Sequence, residues 1–354
     1  MSVHAYTSCS YSYLNRARVL ASSLRRQHPD WTIWLVLTDK EPAGFTFDLG
    51  KEDYDHVLSA EDLFGEDTDQ WLFGHDIVEA CTAVKGQAML HVLNDPTCDK
   101  VMYFDPDIAL FNPMTDVINH LDDYSIVLTP HQTDPDDADH PTALRDNEIS
   151  SLDYGIFNLG FIAVADDGEG RRFAQWWTDR LRDWCHDRLD IGVFVDQKWC
   201  NLVPCFFDRV LVLRDPGYNV ASWNLSQRVM HYDTEGRALI NDRPLRFYHF
   251  TKLGPVGDTM TQRYAKGNIE IYELWWWYRQ QITTYSSDDI PQGWWYYGIF
   301  DNGEKIPKPV REMYRTRQDL REAFPAPYVT GEGSFFEWLL AHTDTISNPQ
   351  HRGF

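Results

Sequence analysis

A chain of 354 residues with 54 acids against 32 bases, and a formal net charge of -22, offers too little positive surface to hold nucleic acid or an anionic membrane non-specifically. Its 43% apolar and 14% aromatic content suits a globular protein with a substantial core, large enough for one α/β domain with additions. Cys9, Cys81, Cys98, Cys185, Cys200 and Cys205 include no C-x-x-C pair, no apolar run reaches membrane-spanning length, and "MSVHAYTSCS" does not read as a secretory leader. We therefore expect reduced thiols, no zinc site, no transmembrane segment and a cytoplasmic protein.

In chain order, a short strand is expected to end near "AYTSCS". Leu14, Ala17, Ala21 and Leu24 then recur at helical spacing until "RRQHPD". "WTIWLVLTD" (31–39) reads as a strand ending in Asp39. Ile77, Cys81, Val84 and Ala88 stripe a second helix, which leads into the strand "VMYF" (101–104). "SIVLTP" (125–130), "IFNLGFIAV" (156–164), "RVLVL" (209–213) and "LRFYHF" (245–250) are further strands. Phe173, Trp177, Leu181 and Trp184 mark another helix, and "YELWWWYRQQ" a late one. Alternation of helix and strand through the first hundred residues predicts right-handed βαβ units and a mostly parallel sheet, becoming mixed after residue 125. The acidic stretch "HQTDPDDADHPT" (131–142) reads as a mobile loop. The expected organisation is a catalytic domain over 1–255 and a helical, aromatic extension over 256–354.

Ligands of parallel sheets bind beyond the carboxyl ends of the strands. Asp39 and Asp105 both sit there. Five D-x-D patterns occur in this acidic chain, and four lie in polar surroundings where solvated charge explains them. Only Asp105 and Asp107 directly follow a buried-type strand. Carboxylates there are costly unless neutralised, and Pro106 imposes a turn that can aim both at one point. A hard divalent cation, Mn²⁺ or Mg²⁺, fits such oxygen ligands. Read alone, the motif serves equally well as an Asx turn capping "DIALFNPMTD". His249, ending "LRFYHF", could complete the ligand set, and Lys252 and Gly254 in "HFTKLGP" would suit a diphosphate.

The ordered set of "HAYTSCSYSYLNRARVLASSLRRQHPDWTIWLVLTD", "ACTAVKGQAML", "YFDPDIALF", "FNLGFIAV", "DQKWCN" and a late "HF" with lysine and glycine resembles a GT-A-fold glycosyltransferase, in motif order that of glycosyltransferase family 8. The resemblance covers roughly residues 3 to 255. It implies a Rossmann-like sheet, a nucleotide-diphosphate sugar as donor, a divalent cation, a carbohydrate or glycoconjugate acceptor, and retention of anomeric configuration. By that resemblance Asp105, Asp107 and His249 hold the cation. Tyr6, Thr7 and Ser8 line the nucleotide site, Asp39 contacts base or ribose, and Lys85 reaches donor phosphate or sugar. Asn158 grips sugar hydroxyls beside Gly160, whose lack of a side chain marks a close approach. Asp196 and Gln197 lie by the anomeric carbon. Gln197 is a poor nucleophile, which favours attack from the leaving-group face over a covalent glycosyl-enzyme. The family's lysine follows its glycine, whereas Lys252 precedes Gly254. The clusters "WWWY" (275–278) and "GWWYYG" (293–298) could stack on acceptor sugars or serve as packing.

Two other classes compete. A sugar-phosphate nucleotidyltransferase would want a glycine-rich N-terminal signature, and "YTSCSYSYLNR" contains no glycine. A non-catalytic carbohydrate-binding protein would leave Asp105, Asp107 and His249 unexplained.

Overall fold

The structure is a computed structural model that describes residues 2–342. Strands β1 (Val3–Cys9), β2 (Thr32–Leu37), β3 (His56–Ser59), β4 (Lys100–Phe104), β6 (Ile126–Pro130), β7 (Phe157–Ala165) and β8 (Val210–Val212) form one sheet; β5 (Ile108–Leu110) lies outside it. Its order is β8-β6-β7-β4-β1-β2-β3. All neighbours pair parallel except β7, which is antiparallel to both β4 and β6. This is the mostly parallel, mixed sheet flanked by helices expected from the sequence. Strands β1, β4, β6 and β7 are buried along their whole length, as strands covered on both faces must be, which explains their near-continuous apolar runs.

Helices cover the two faces. On one, α1 (Leu14–Gln27) and α3 (Thr115–Asp123) bury Leu20, Leu24, Val117 and Leu121 against Ile33, Met102 and Phe161. On the other, α2 (Ile77–Leu93) and α4 (Gly168–Trp184) bury Val84, Met89, Phe173 and Trp177 against Val101 and Ile162. A reciprocal cap starts α2: Asp76 accepts from the backbone of Val78 and Glu79, and the Glu79 side chain accepts from Asp76. Gly86 lets α2 and α4 close together, since a Cβ there would lie 2.7 Å from the Cα of Thr178.

Two features depart from the sequence reading. After Pro106 the chain resumes at once as β5, and "LRFYHF" does not join the main sheet. Its strand β9 (Phe247–His249) instead pairs antiparallel with β5, setting His249 opposite Ile108. Segment 131–142 is irregular as far as Pro141, where helical turns begin, with Asn147 donating to Asp136 and the Asp136 backbone to Glu148.

After β9 the described chain is largely helical. It contains α5 (Pro255–Ala265), α6 (Ile269–Thr284), α7 (Lys308–Thr316) and, further on, Phe335–Ala341. Phe300, Tyr314 and Phe335 pack around Phe73, and Arg311 donates to the carbonyls of Phe73, His75 and Tyr297. Residues 343–354 of the expected extension lie outside the described residues. Among the described residues no helix is long and apolar enough to cross a membrane.

Candidate active site

Strand β4 ends at Phe104, and the turn that follows is fixed from both sides. The Asp105 backbone donates to the carbonyl of Gly160 at 2.7 Å, and Ile108 donates back to Asp105 at 3.1 Å. Pairing of β5 with β9 then brings together residues more than 140 positions apart in sequence. Ligand atoms of Asp105, Asp107 and His249 all lie within 4.8 Å of one another. Nε2 of His249 is 3.0 Å from Oδ1 of Asp107 and 3.6 Å from Oδ2 of Asp105. Burial disfavours the Asp107 carboxylate, yet His249 beside it outweighs that and holds the carboxyl below its usual range. Burial likewise opposes a charged His249, but Asp107 raises it above the ordinary imidazole value. Two carboxylates and one imidazole turned to a common point fit a hard divalent cation that keeps further positions for water or phosphate oxygens.

Behind the cluster stands Lys85 of α2, only 2% exposed. All three ammonium protons are engaged, by Asp105 Oδ1 at 3.0 Å, Asp196 Oδ2 at 2.8 Å and the Leu159 carbonyl at 3.1 Å. Burial alone would lower its pKa; the two carboxylates raise it instead. The Lys85 ammonium thus clamps Asp105 to Asp196. Tyr103 donates to the same oxygen of Asp105 at 2.7 Å, with the Lys85 ammonium 4.2 Å from its ring centroid. Oδ1 of Asp105 is thus held from behind, and Oδ2 turns to the cluster. Asp196 is as buried as Lys85, and desolvation raises its pKa against the pull of that lysine. The preceding Val195 has φ +35, a strained conformation for a β-branched residue, at the turn that presents Asp196 and Gln197.

Gln197, Asn158 and Gly160 form one hydrogen-bonded unit. The Gln197 side chain accepts from Asn158 at 3.2 Å and from the Leu159 backbone at 3.3 Å, and donates to the Tyr154 carbonyl at 3.0 Å. Asn158 Oδ1 faces the Gly160 backbone N–H and Nδ1 of His249, each at 3.2 Å. The glycine has a local cause: a Cβ at 160 would lie 2.5 Å from Cε1 of His249. The close approach inferred from sequence is that of the histidine ring.

The remaining candidates separate. Tyr6 donates to the Lys85 carbonyl at 2.8 Å and Ser8 to the Cys81 carbonyl at 2.7 Å, so both brace β1 against α2. Thr7 points to the opposite face, and its buried hydroxyl has no partner among the described residues. Asp39 accepts from the backbone of Tyr296 at 2.8 Å, Lys40 at 3.0 Å and Tyr11 at 3.4 Å. Its carboxylate pins the C-terminal segment to the end of β2. Lys252 is exposed on the loop after β9. Gly254 has φ +129 with open space around its Cβ direction, so backbone conformation requires this glycine. Most of the aromatic clusters are packing. Trp275 donates to Tyr248 at 3.0 Å, Tyr278 stacks on Phe250 with centroids 3.8 Å apart, and Trp294 donates to the Lys40 carbonyl at 2.9 Å. Trp276 and Tyr296 are exceptions, at 65% and 43% exposed.

Sequence reasoning missed four contributors. Tyr103 is hidden as an ordinary strand residue. His131 lies 3.3 Å from the Asn158 amide, and Trp223 sets its ring edge-on to both His131 and His249. Arg16 lies 4.0 Å over the Tyr13 ring and has no carboxylate within 4 Å among the described residues, although its charge is felt at Asp107. The i, i+3 spacing of Tyr13 and Arg16 at a helix start was the available signal.

No family model matches the chain. YfnF and YfnD of Bacillus subtilis (strain 168), both described as uncharacterized, are 28% identical over 180 residues and 26% identical over 179. These matches cover 50% and 49% of this chain, and 57% of YfnF and 53% of YfnD. The chain thus spans about half the length of the curated relatives it matches. Solved structures that it resembles include glycosyltransferases. The galactosyltransferase LgtC, in complex with donor and acceptor sugar analogs, has a TM-score of 0.46 at 17% identity, covering 83% of this chain and 99% of LgtC. GlyE of Streptococcus pneumoniae TIGR4 has a TM-score of 0.45 at 16% identity, covering 84% of this chain and 66% of GlyE.

Proposed function

We propose that the protein is a metal-dependent glycosyltransferase that moves a hexose from a nucleotide-diphosphate sugar to a glycan or glycoconjugate acceptor, with retention of anomeric configuration, as part of cytoplasmic polysaccharide assembly. The observation that carries this reading is the meeting of Asp105, Asp107 and His249 at the carboxyl end of the sheet. Carboxylate oxygens of the two aspartates and Nε2 of His249 would hold Mn²⁺ or Mg²⁺. When bound, the cation supplies a Lewis acid for the charge left on the departing nucleoside diphosphate. Lys85 and Tyr103 keep Asp105 in place for that role, and Arg16 offers a cation toward a bound diphosphate.

Retention without a covalent intermediate agrees with the state of the neighbouring groups. Asp196 is enclosed and paired to Lys85, and both ends of the Gln197 amide are occupied. Neither offers a free nucleophile, so the acceptor would attack from the leaving-group face, with the leaving phosphate taking its proton. The test is a panel of nucleotide sugars incubated with Mn²⁺ or with EDTA, read by nucleoside diphosphate release. Metal-dependent release from one donor is expected, with NMR of the product reporting the anomer. A folded protein that turns over no donor, or that releases pyrophosphate from a triphosphate, overturns the reading.

A further inference from the structure

We infer that Asn158 decides which ring nitrogen of His249 faces the cation, which makes it a positioning residue of this centre; the inference rests on the metal-dependent reading above. A histidine ligates through one nitrogen, and the hydrogen bond made by the other fixes its orientation. Here the partner's own orientation is settled by a one-way chain. The Leu159 backbone N–H donates to Oε1 of Gln197 while Nε2 of Gln197 donates to the Tyr154 carbonyl, so that amide cannot be turned over. Nδ2 of Asn158 must then donate to Oε1 of Gln197. Its Oδ1 accepts the Gly160 backbone N–H at 3.2 Å, which a reversed amide could not do. The nitrogen of His249 that faces this oxygen at 3.2 Å therefore carries a proton, and it is Nδ1. Nε2 is left turned toward Asp105 and Asp107. Gly160 supplies the room, because any side chain there would strike the ring.

The test measures Mn²⁺ affinity without nucleotide, from the free-ion electron paramagnetic resonance signal. Asn158→Leu removes the acceptor at similar volume and should weaken Mn²⁺ by about 10–100-fold. Asn158→Asp keeps an acceptor facing Nδ1 but loses the donor to Gln197, and should lose clearly less Mn²⁺ affinity than Asn158→Leu. In Mg²⁺-loaded wild type, ¹⁵N-histidine NMR, with His249→Asn to assign the ring, should place a proton on Nδ1. A bare Nδ1, a folded Asn158→Leu protein that binds Mn²⁺ like the wild type, or an Asn158→Asp protein that loses as much as Asn158→Leu overturns the inference. Should Asn158→Leu not fold, the other two measurements decide. Wild type that binds no Mn²⁺ overturns the metal reading itself, which separates the two failures.

Discussion

Two aspartates of this protein occupy the same topological place and meet different fates. Asp39 follows β2 and Asp105 follows β4, both at the carboxyl edge of one parallel sheet. Asp39 is closed off by three backbone N–H groups, one from the C-terminal segment. Asp105 is held on one oxygen by Lys85 and Tyr103, and its other oxygen is turned to Asp107 and His249. A strand-end carboxylate is thus a site only where the fold leaves an oxygen unspent and brings more ligands to it. At β4 that is achieved by Pro106, which releases the chain into β5, and by β9, which delivers His249.

The sharpest way to break the comparison is Asp107→Ala. It should abolish measurable Mn²⁺-dependent donor binding, a loss of at least about 100-fold, because two remaining ligands hold a hard cation poorly. Calorimetry with donor plus Mn²⁺ checks this, and unchanged affinity would remove the cation from the β4 end. Next in size is Lys85→Met. It leaves the enclosed Asp196 without its ammonium partner and should destabilise the metal-free protein by about 3–5 kcal/mol in urea unfolding. A cost below about 1 kcal/mol would mean that Asp196 is neutral or rehydrated, and that the clamp behind Asp105 is dispensable.

How much of this was readable beforehand follows from the same contrast. The sheet was legible because buried parallel strands are written as unbroken apolar runs and their helices as stripes such as Ile77, Val84 and Ala88. Asp105 and Asp107 stood out because Pro106 interrupts such a run. The β5–β9 pairing was not legible, since a three-residue strand carries no periodicity and its partner lies far along the chain. Lys85 was singled out for its apolar neighbours, but its partner Asp196 is 111 residues away, so the clamp could not be read from local sequence. Asp39 shows the limit most clearly. Its local signature matches a ligand site, and the contact from residue 296 at the far end of the chain could not be read from it.

Titration separates the two ends further. Burial pushes Asp39 up to about 7, against the opposing pull of its three N–H donors. The folded state therefore binds this proton more tightly than the unfolded chain, and the Asp39 contribution to stability falls as pH rises from about 4 to about 7. His75 and His186 act oppositely. Burial pushes them down to about 4 and about 3, so the unfolded chain takes up their protons first and stability rises with pH up to about 6.5. Asp39→Asn removes only the first contribution. Its stability relative to the wild type should rise between about pH 4.5 and about pH 7.5, by urea midpoints at both. A difference that is the same at the two pH values would show that Asp39 does not titrate in this window.

The smallest effect is expected at the strap that covers β2. Trp294 donates to the Lys40 carbonyl two residues before Tyr296 meets Asp39, and its ring packs against the core beneath β2. Trp294→Phe keeps most of the ring and deletes the donor, leaving one part-buried carbonyl unpaired. The cost should be about 1 kcal/mol in urea unfolding. Mn²⁺ affinity should not change, because no contact of Trp294 reaches Asp105, Asp107 or His249. If the affinity fell with the stability, the two strand ends would be coupled through the sheet, and the contrast between a spent carboxylate at β2 and an available one at β4 would no longer be a local matter.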